Sequence, residues 1–248
     1  MRRTLAPKDN KYSRGIVGVA AGSDQYPGAA VLTIGGARLG NAGYVKFLSQ
    51  EKRLQDLVLG RFPDVVPIEN LEGARLDALV VGPGMGSVKA LPIGLPLVLD
   101  GEAIQLAFES GFTGAHPVTV ITPHEGELRF CGVDADTPLS EQHRKEIAHQ
   151  IAVDQNLIVV LKGHRTVVAS DDGEIFIDEN GGPELATAGS GDILAGLIAS
   201  MLVSLKEGGS AFDLVCRGVT LHSRAGQLAS ERFARVTALE ILDALRYL

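Results

Sequence analysis

Residues 78–81, 97–99, 118–121 and 157–161 are short, almost unbroken apolar runs rich in β-branched side chains. A strand with one face in water alternates polar and apolar residues, and these do not. Both of their faces must be buried, which happens where helices cover a parallel sheet on two sides. Segments 15–20 and 44–48 read as further strands, and 28–39 reads as a helix entered through the turn Gly22-Ser23-Asp24. Segments 166–169 and 174–177 are β-type runs separated by Ser170-Asp171-Asp172-Gly173, a hairpin signal. Helical patterns follow at 193–205, 211–230 and 238–245. Strands alternating with helices predict an α/β protein with a mostly parallel central sheet. A chain of 248 residues, 45% of them hydrophobic, can build that as one domain spanning 1–248.

The remaining composition narrows the function. Net charge is −7, which argues against nucleic acid as the main partner. Cys131 and Cys216 lie far apart without metal-type spacing, as expected of a cytoplasmic protein with reduced thiols. The longest apolar stretch, 193–205, is too short to span a bilayer and contains Ser200 and Ser204, so a buried helix and no membrane association are expected. Residues 1–14 are basic and polar without an apolar core, unlike a secretory signal, and are expected to be flexible.

In open α/β sheets, ligands bind beyond the carboxyl ends of the strands. The chemistry-bearing residues of this chain fall at such ends. Gly82-Pro83-Gly84-Met85-Gly86 follows one apolar run, and Asp100 follows the next. Thr122-Pro123-His124-Glu125-Gly126-Glu127 comes third. There Thr122 is expected to cap a helix with Pro123 at its first position, placing His124 in the first turn at the ligand end. Lys162-Gly163-His164-Arg165-Thr166 is fourth, and Lys162 can reach phosphate as a point charge.

Ala186 to Gly196 reads A-T-A-G-S-G-D-I-L-A-G. A glycine-rich loop there turns into a helix, so free N–H groups and the positive dipole end face one point, which suits phosphate. Asp192 beside a phosphate is repelled unless it has a task. Taking the proton of a hydroxyl that attacks the phosphoryl group is such a task. Each feature also has a plainer reading: Ser190 or Asp192 as a helix cap, the glycines as turns, His124 as structural, Lys162 as solvated charge. Their gathering at strand ends favours a single nucleotide and phosphate cleft.

The order of motifs resembles that of the ADP-dependent NAD(P)H-hydrate dehydratases, repair enzymes of the ribokinase-like superfamily. The matching pieces are Tyr26-Pro27-Gly28-Ala29-Ala30, Gly82-Pro83-Gly84-Met85-Gly86, Leu99-Asp100, Thr122-Pro123-His124-x-x-Glu127, Leu161-Lys162-Gly163 and Gly189-Ser190-Gly191-Asp192. The resemblance implies a three-layer α/β/α ribokinase-like fold. It implies a substrate of NADH or NADPH hydrated on the nicotinamide ring, with ADP as co-substrate and Mg²⁺ as cofactor. ADP would phosphorylate the hydrate hydroxyl, and phosphate would then leave, giving NAD(P)H, AMP and phosphate. Asp192 would be the catalytic base, and the amides of Ser190 and Gly191 would hold the transferred group. Lys162, Gly163, His164, Arg165, Thr166 and Gly191 would line the AMP part. Ala30, Gly86, His124 and Asp192 would contact the hydrated dinucleotide, Ala30 and Gly86 being assigned over Ala29 and Gly84 by motif position alone. No protein ligand to a metal is assigned. A homo-oligomer, tetrameric by resemblance, is implied, with any epimerase acting as a separate protein. The chain departs from the family pattern at Asp100-Gly101-Glu102, at Leu39-Gly40-Asn41-Ala42-Gly43-Tyr44 and at Met85.

Two other functions are compatible with parts of this reading. A vitamin-precursor kinase of the same superfamily, acting for example on hydroxyethylthiazole, would keep the Gly-Ser-Gly-Asp loop without needing Thr122-Pro123-His124. A non-catalytic nucleotide-binding module would have no use for Asp192.

Overall fold

The computed structural model describes residues 6–92, 94–111, 117–134 and 138–248. In chain order the elements are β1 (Ile16–Ala20), α1 (Pro27–Arg38), β2 (Tyr44–Leu48), α2 (Lys52–Arg61), β3 (Val66–Ile68), β4 (Ala78–Val81) and β5 (Leu97–Leu99). Then come α3 (Glu102–Glu109), β6 (Thr119–Ile121), a 3-10 helix Glu125–Cys131, α4 (Glu141–Gln155) and β7 (Ile158–Leu161). The hairpin β8 (Val167–Ala169) and β9 (Ile175–Ile177) precedes α5 (Ser190–Leu202), α6 (Ala211–Arg232) and α7 (Ala238–Ala244).

The strands form one sheet in the order β3-β2-β1-β4-β5-β6-β7-β8-β9. Pairing is parallel from β3 through β7, and antiparallel where β8 and β9 are added. Side chains of neighbouring strand residues point to opposite faces, so every central strand feeds two cores. Val17, Val80, Val98, Val120 and Val160 pack toward α1, α5, α6 and α7. Leu79, Leu97, Leu99, Ile121 and Val159 pack toward α3 and α4. That double burial is why these strands read as continuous apolar runs.

The hairpin and the late helices lie where the pattern put them, with the helix expected at 193–205 starting at Ser190 and ending in a 3-10 turn, Val203–Glu207. The sequence pattern passed over α2, β3, α3 and α4. In α4 only Arg144, Ala148, Ile151 and Ala152 are buried, too narrow a stripe to stand out among its polar residues. Of residues 1–14, 1–5 lie outside the described residues. Tyr12 stacks edge-on against Tyr44 at 5.9 Å, and its carbonyl accepts from Lys206 Nζ at 3.1 Å, so this part is tied to the sheet.

One close approach sets the position of α5. A Cβ on Gly196 would lie 1.9 Å from the Thr33 carbonyl oxygen, and one on Gly36 would lie 2.1 Å from that of Ile193. Only glycine lets α1 and α5 touch backbone to backbone, and this contact fixes where the first turn of α5 stands above the sheet.

Candidate active site

The strand order reverses between β1 and β4, the point at whose carboxyl ends open α/β sheets bind ligands. The loops on its two sides are laced together. Gly22 N–H donates to Pro83 O at 2.7 Å, and Ser23 Oγ donates to Gly84 O at 2.8 Å. Beside them, the loops after β5, β6 and β7 form a second bonded set. Thr122 Oγ1 donates to Asp100 Oδ1 at 2.6 Å, and Lys162 N–H donates to Pro123 O at 2.8 Å. Thr122 is therefore not a helix cap. His124 holds that place before the 3-10 helix, and its N–H donates to Glu127 Oε2 at 2.8 Å.

The first turn of α5 closes the group. Gly189 precedes it with φ 89°, a left-handed conformation that swings the chain into the helix without any side-chain cap. Neither Ser190 nor Asp192 caps the helix. Ser190 Oγ instead meets His222 Nε2 of α6 at 3.1 Å. Ser190 N–H donates to Thr187 O at 3.2 Å, so the amide expected to face phosphate is engaged in the turn. The N–H groups of Gly191 and Asp192, one and two residues on, have no carbonyl four residues back within the helix and are the better donors.

Two cavities meet at this turn, of about 680 Å³ and about 700 Å³. His124, Lys162 and Gly191 line both. Ser190, Thr187 and the glycine of Lys162-Gly163 face the first cavity, and Asp192, Ala29 and Gly84 face the second. The helix start thus presents Ser190 to one cavity and the Asp192 carboxylate to the other.

The charges are arranged around Lys162. Its Nζ donates to Asp100 Oδ1 at 2.7 Å and lies 3.6 Å from Glu127 Oε2. Burial works against the ammonium, but Asp100, Glu127 and Asp192 outweigh it and raise its pKa. Asp192 is pushed up to about 7, first by burial and then by Asp100; Lys162 opposes this and Glu127 adds to it. A carboxyl poised near neutrality suits a general base. Burial lowers His222 to about 4, so it stands neutral beneath Ser190. Both thiols are pushed to about 12, chiefly by burial, and offer no thiolate nucleophile at neutral pH.

Several expected site residues do not line these cavities. Ala30 is fully buried, packed beneath Gly22, while Ala29 lines the second cavity. Successive helix positions turn by about 100°, so neighbouring alanines cannot both face the crevice. Gly86 is exposed and lines neither cavity, whereas Gly84 does. Gly163, His164 and Thr166 line the first cavity, but the Arg165 guanidinium is held by Glu141 and Glu179, each at 2.5 Å. The sequence does not single out His222, and it marks Glu127 only as the last residue of the Thr122-Pro123-His124-x-x-Glu127 motif, without a role. A buried histidine in the middle of α6 leaves no mark but a polar residue on an apolar face.

The profile of the NAD(P)H-hydrate dehydratase family matches residues 17–246. The chain is similar to the ADP-dependent (S)-NAD(P)H-hydrate dehydratase of Neisseria meningitidis, 32% identical, over 99% of this chain and 88% of that one. It is 35% identical to the bifunctional NAD(P)H-hydrate repair enzyme Nnr of Mycobacterium tuberculosis, over 83% of this chain and 44% of the relative, and so spans about half the length of such relatives. Among solved structures, the ADP/ATP-dependent NAD(P)H-hydrate dehydratase of Bacillus subtilis, co-crystallised with ATP/Mg²⁺, superposes with a TM-score of 0.84 at 25% identity, covering 98% of this chain and 92% of that one. The profile match over most of the chain and the similarity to the Neisseria enzyme show that the chain belongs to the NAD(P)H-hydrate dehydratase family.

Proposed function

We propose that this protein restores NADH and NADPH from their hydrates at the expense of ADP. The nucleotide occupies the cavity beside Lys162-Gly163, and the hydrated nicotinamide occupies the cavity beside Asp192. The observation that carries this reading is the shared first turn of α5, with Ser190 toward one cavity and Asp192 toward the other. Asp192 takes the proton of the hydrate hydroxyl as its oxygen attacks the terminal phosphorus of ADP, and AMP leaves. The amides of Gly191 and Asp192 and the Lys162 ammonium hold the transferred group. Hydroxide is a poor leaving group and phosphate a good one. The ring nitrogen lone pair then expels phosphate, and loss of a proton from the neighbouring carbon restores the double bond.

Mg²⁺ belongs to the nucleotide in this proposal. Among the described residues, no group of three or more His, Cys, Asp or Glu side chains stands close enough to hold an ion. Mg²⁺ keeps several waters and binds through substrate phosphates and one or two carboxylates. Asp100 and Glu127, at the phosphate end of Lys162, are the groups that would reach it, and when bound it neutralises phosphate charge. The family resemblance supports a tetrameric assembly. Among the described residues, no helix is long and apolar enough to cross a membrane.

The test is incubation with hydrated NADH and either ADP or ATP, following the absorbance of restored NADH. Phosphorylation of a vitamin precursor without restoration of NADH would replace this reading with the kinase one.

A further inference from the structure

Arg144 lies within α4, on the far side of the sheet from α5, and its side chain is 9% exposed. The guanidinium pairs with Glu125, the residue after His124. Its other terminal nitrogen donates to the carbonyls of Leu161, Lys162 and Arg165 at 2.9, 3.3 and 3.4 Å. One buried cation therefore grips both ends of the loop after β7 and, through Glu125, the loop after β6. The grip is tight. A Cβ on Gly163 would lie 2.6 Å from a guanidinium nitrogen and 2.9 Å from its central carbon. A side chain there would push the guanidinium aside, so glycine lets the loop backbone lie against the cation. Arg144 lines neither of the two cavities that meet at α5.

The contact set suits arginine alone. A planar fork of donors reaches several carbonyls and a carboxylate at once, and an ammonium does not. Four acceptors drawn from two ligand loops exceed what packing α4 on the sheet requires. We propose that Arg144 is a positioning residue for the reaction: it holds the Lys162–Thr166 nucleotide loop in its binding shape and ties it to His124, so that the two cavities are set together. This rests on the reading of that loop as the nucleotide site.

The experiment uses the intact chain with Arg144→Met, Arg144→Lys, Gly163→Ala and Glu125→Gln. ADP affinity is read by calorimetry, KM for ADP and for hydrated NADH by restoration of NADH, and folding by melting temperature. Arg144→Met should weaken ADP by roughly tenfold or more, as charge-assisted hydrogen bonds are lost from the loop. Arg144→Lys should fail to rescue it. Gly163→Ala keeps the arginine but displaces it; because Gly163 itself lines the first cavity, its ADP loss counts only together with that of Arg144→Met, and both should come with little change in melting temperature, which separates positioning from folding. Glu125→Gln should raise KM for the hydrate more than for ADP. Wild-type ADP affinity in Gly163→Ala, or in a folded Arg144→Met protein, overturns the proposal. A wild-type chain that binds ADP but restores no NADH overturns the functional reading instead, and the calorimetric comparison still decides the role of Arg144.

Discussion

Replacing Asp192 by Asn tests the proposed chemistry at its centre. The change keeps the size of the side chain and removes the base. General base catalysis contributes about 10²–10⁴-fold, so kcat should fall by about that much. The structure adds a pH signature. Asp192 is raised to about 7, and only its ionised form accepts a proton. At that value about a tenth of the molecules carry the carboxylate at pH 6 and about nine tenths at pH 8. Wild-type kcat should therefore climb about tenfold between those pH values, and the residual activity of Asp192→Asn should not. Lys162 holds this carboxyl lower than burial alone would, so Lys162→Met should move the rising limb to higher pH. Stability runs the other way. A carboxyl whose folded pKa lies above its unfolded value destabilises the fold progressively as pH rises from about 4 to about 7. Asp192→Asn removes that burden, so its melting temperature at pH 8 should equal or exceed the wild type. Because Gly189 starts α5 without a side-chain cap, no cap is lost. The assay is stopped-flow or steady-state restoration of NADH from pH 5.5 to 9, with calorimetry on the same samples. Near-normal turnover in the variant, or a wild-type profile flat through neutrality, would refute the assignment of Asp192 as base. A collapsed melting temperature would leave it a structural residue.

Other expectations follow from single contacts. His124 lines both cavities and is more than half exposed, so His124→Ala should raise KM for the hydrate more than it lowers kcat, the pattern of lost uniform binding; a lost kcat at unchanged KM would assign it to the chemistry. Gly196→Ala would drive a methyl to 1.9 Å from the Thr33 carbonyl. It should destabilise by about 1–3 kcal/mol or more, seen as a lowered denaturation midpoint, and a neutral effect would mean α1 and α5 are not in backbone contact. His222 is buried with its pKa lowered to about 4, so the unfolded chain binds its proton first. In the Asp192→Asn background, which removes the opposite trend of that carboxyl, stability should fall by roughly 3 kcal/mol as pH drops from 7 to 4. His222→Gln should flatten this acid limb in urea titrations, and an unchanged limb would place the titration elsewhere.

The continuous apolar runs determined the fold class without help, because a strand buried on both faces has no polar face to show. The Asp-Gly hairpin and the strand-end loops were legible for similarly local reasons: turns and helix starts are built from consecutive residues. Asp192 stood out for the same local reason, as a carboxylate directly after Gly189-Ser190-Gly191, and the structure sets it at the second cavity in the first turn of α5. The elements missed were those whose burial is slight. In α2 only Leu54 and Val58 are buried, and in α4 a short stripe carries Arg144. Whether Ala29 or Ala30, and Gly84 or Gly86, lines the cavity depended on the rotation of α1 and the path of a loop; motif position pointed to Ala30 and Gly86, and the structure sets Ala29 and Gly84 there. The pairing of Lys162 with Asp100 joins residues 62 positions apart, and that of Ser190 with His222 joins residues 32 apart. Such contacts come from strand order and helix packing, which no local pattern encodes. They decide the charge of Lys162, the poise of Asp192 and the division of the crevice into two cavities.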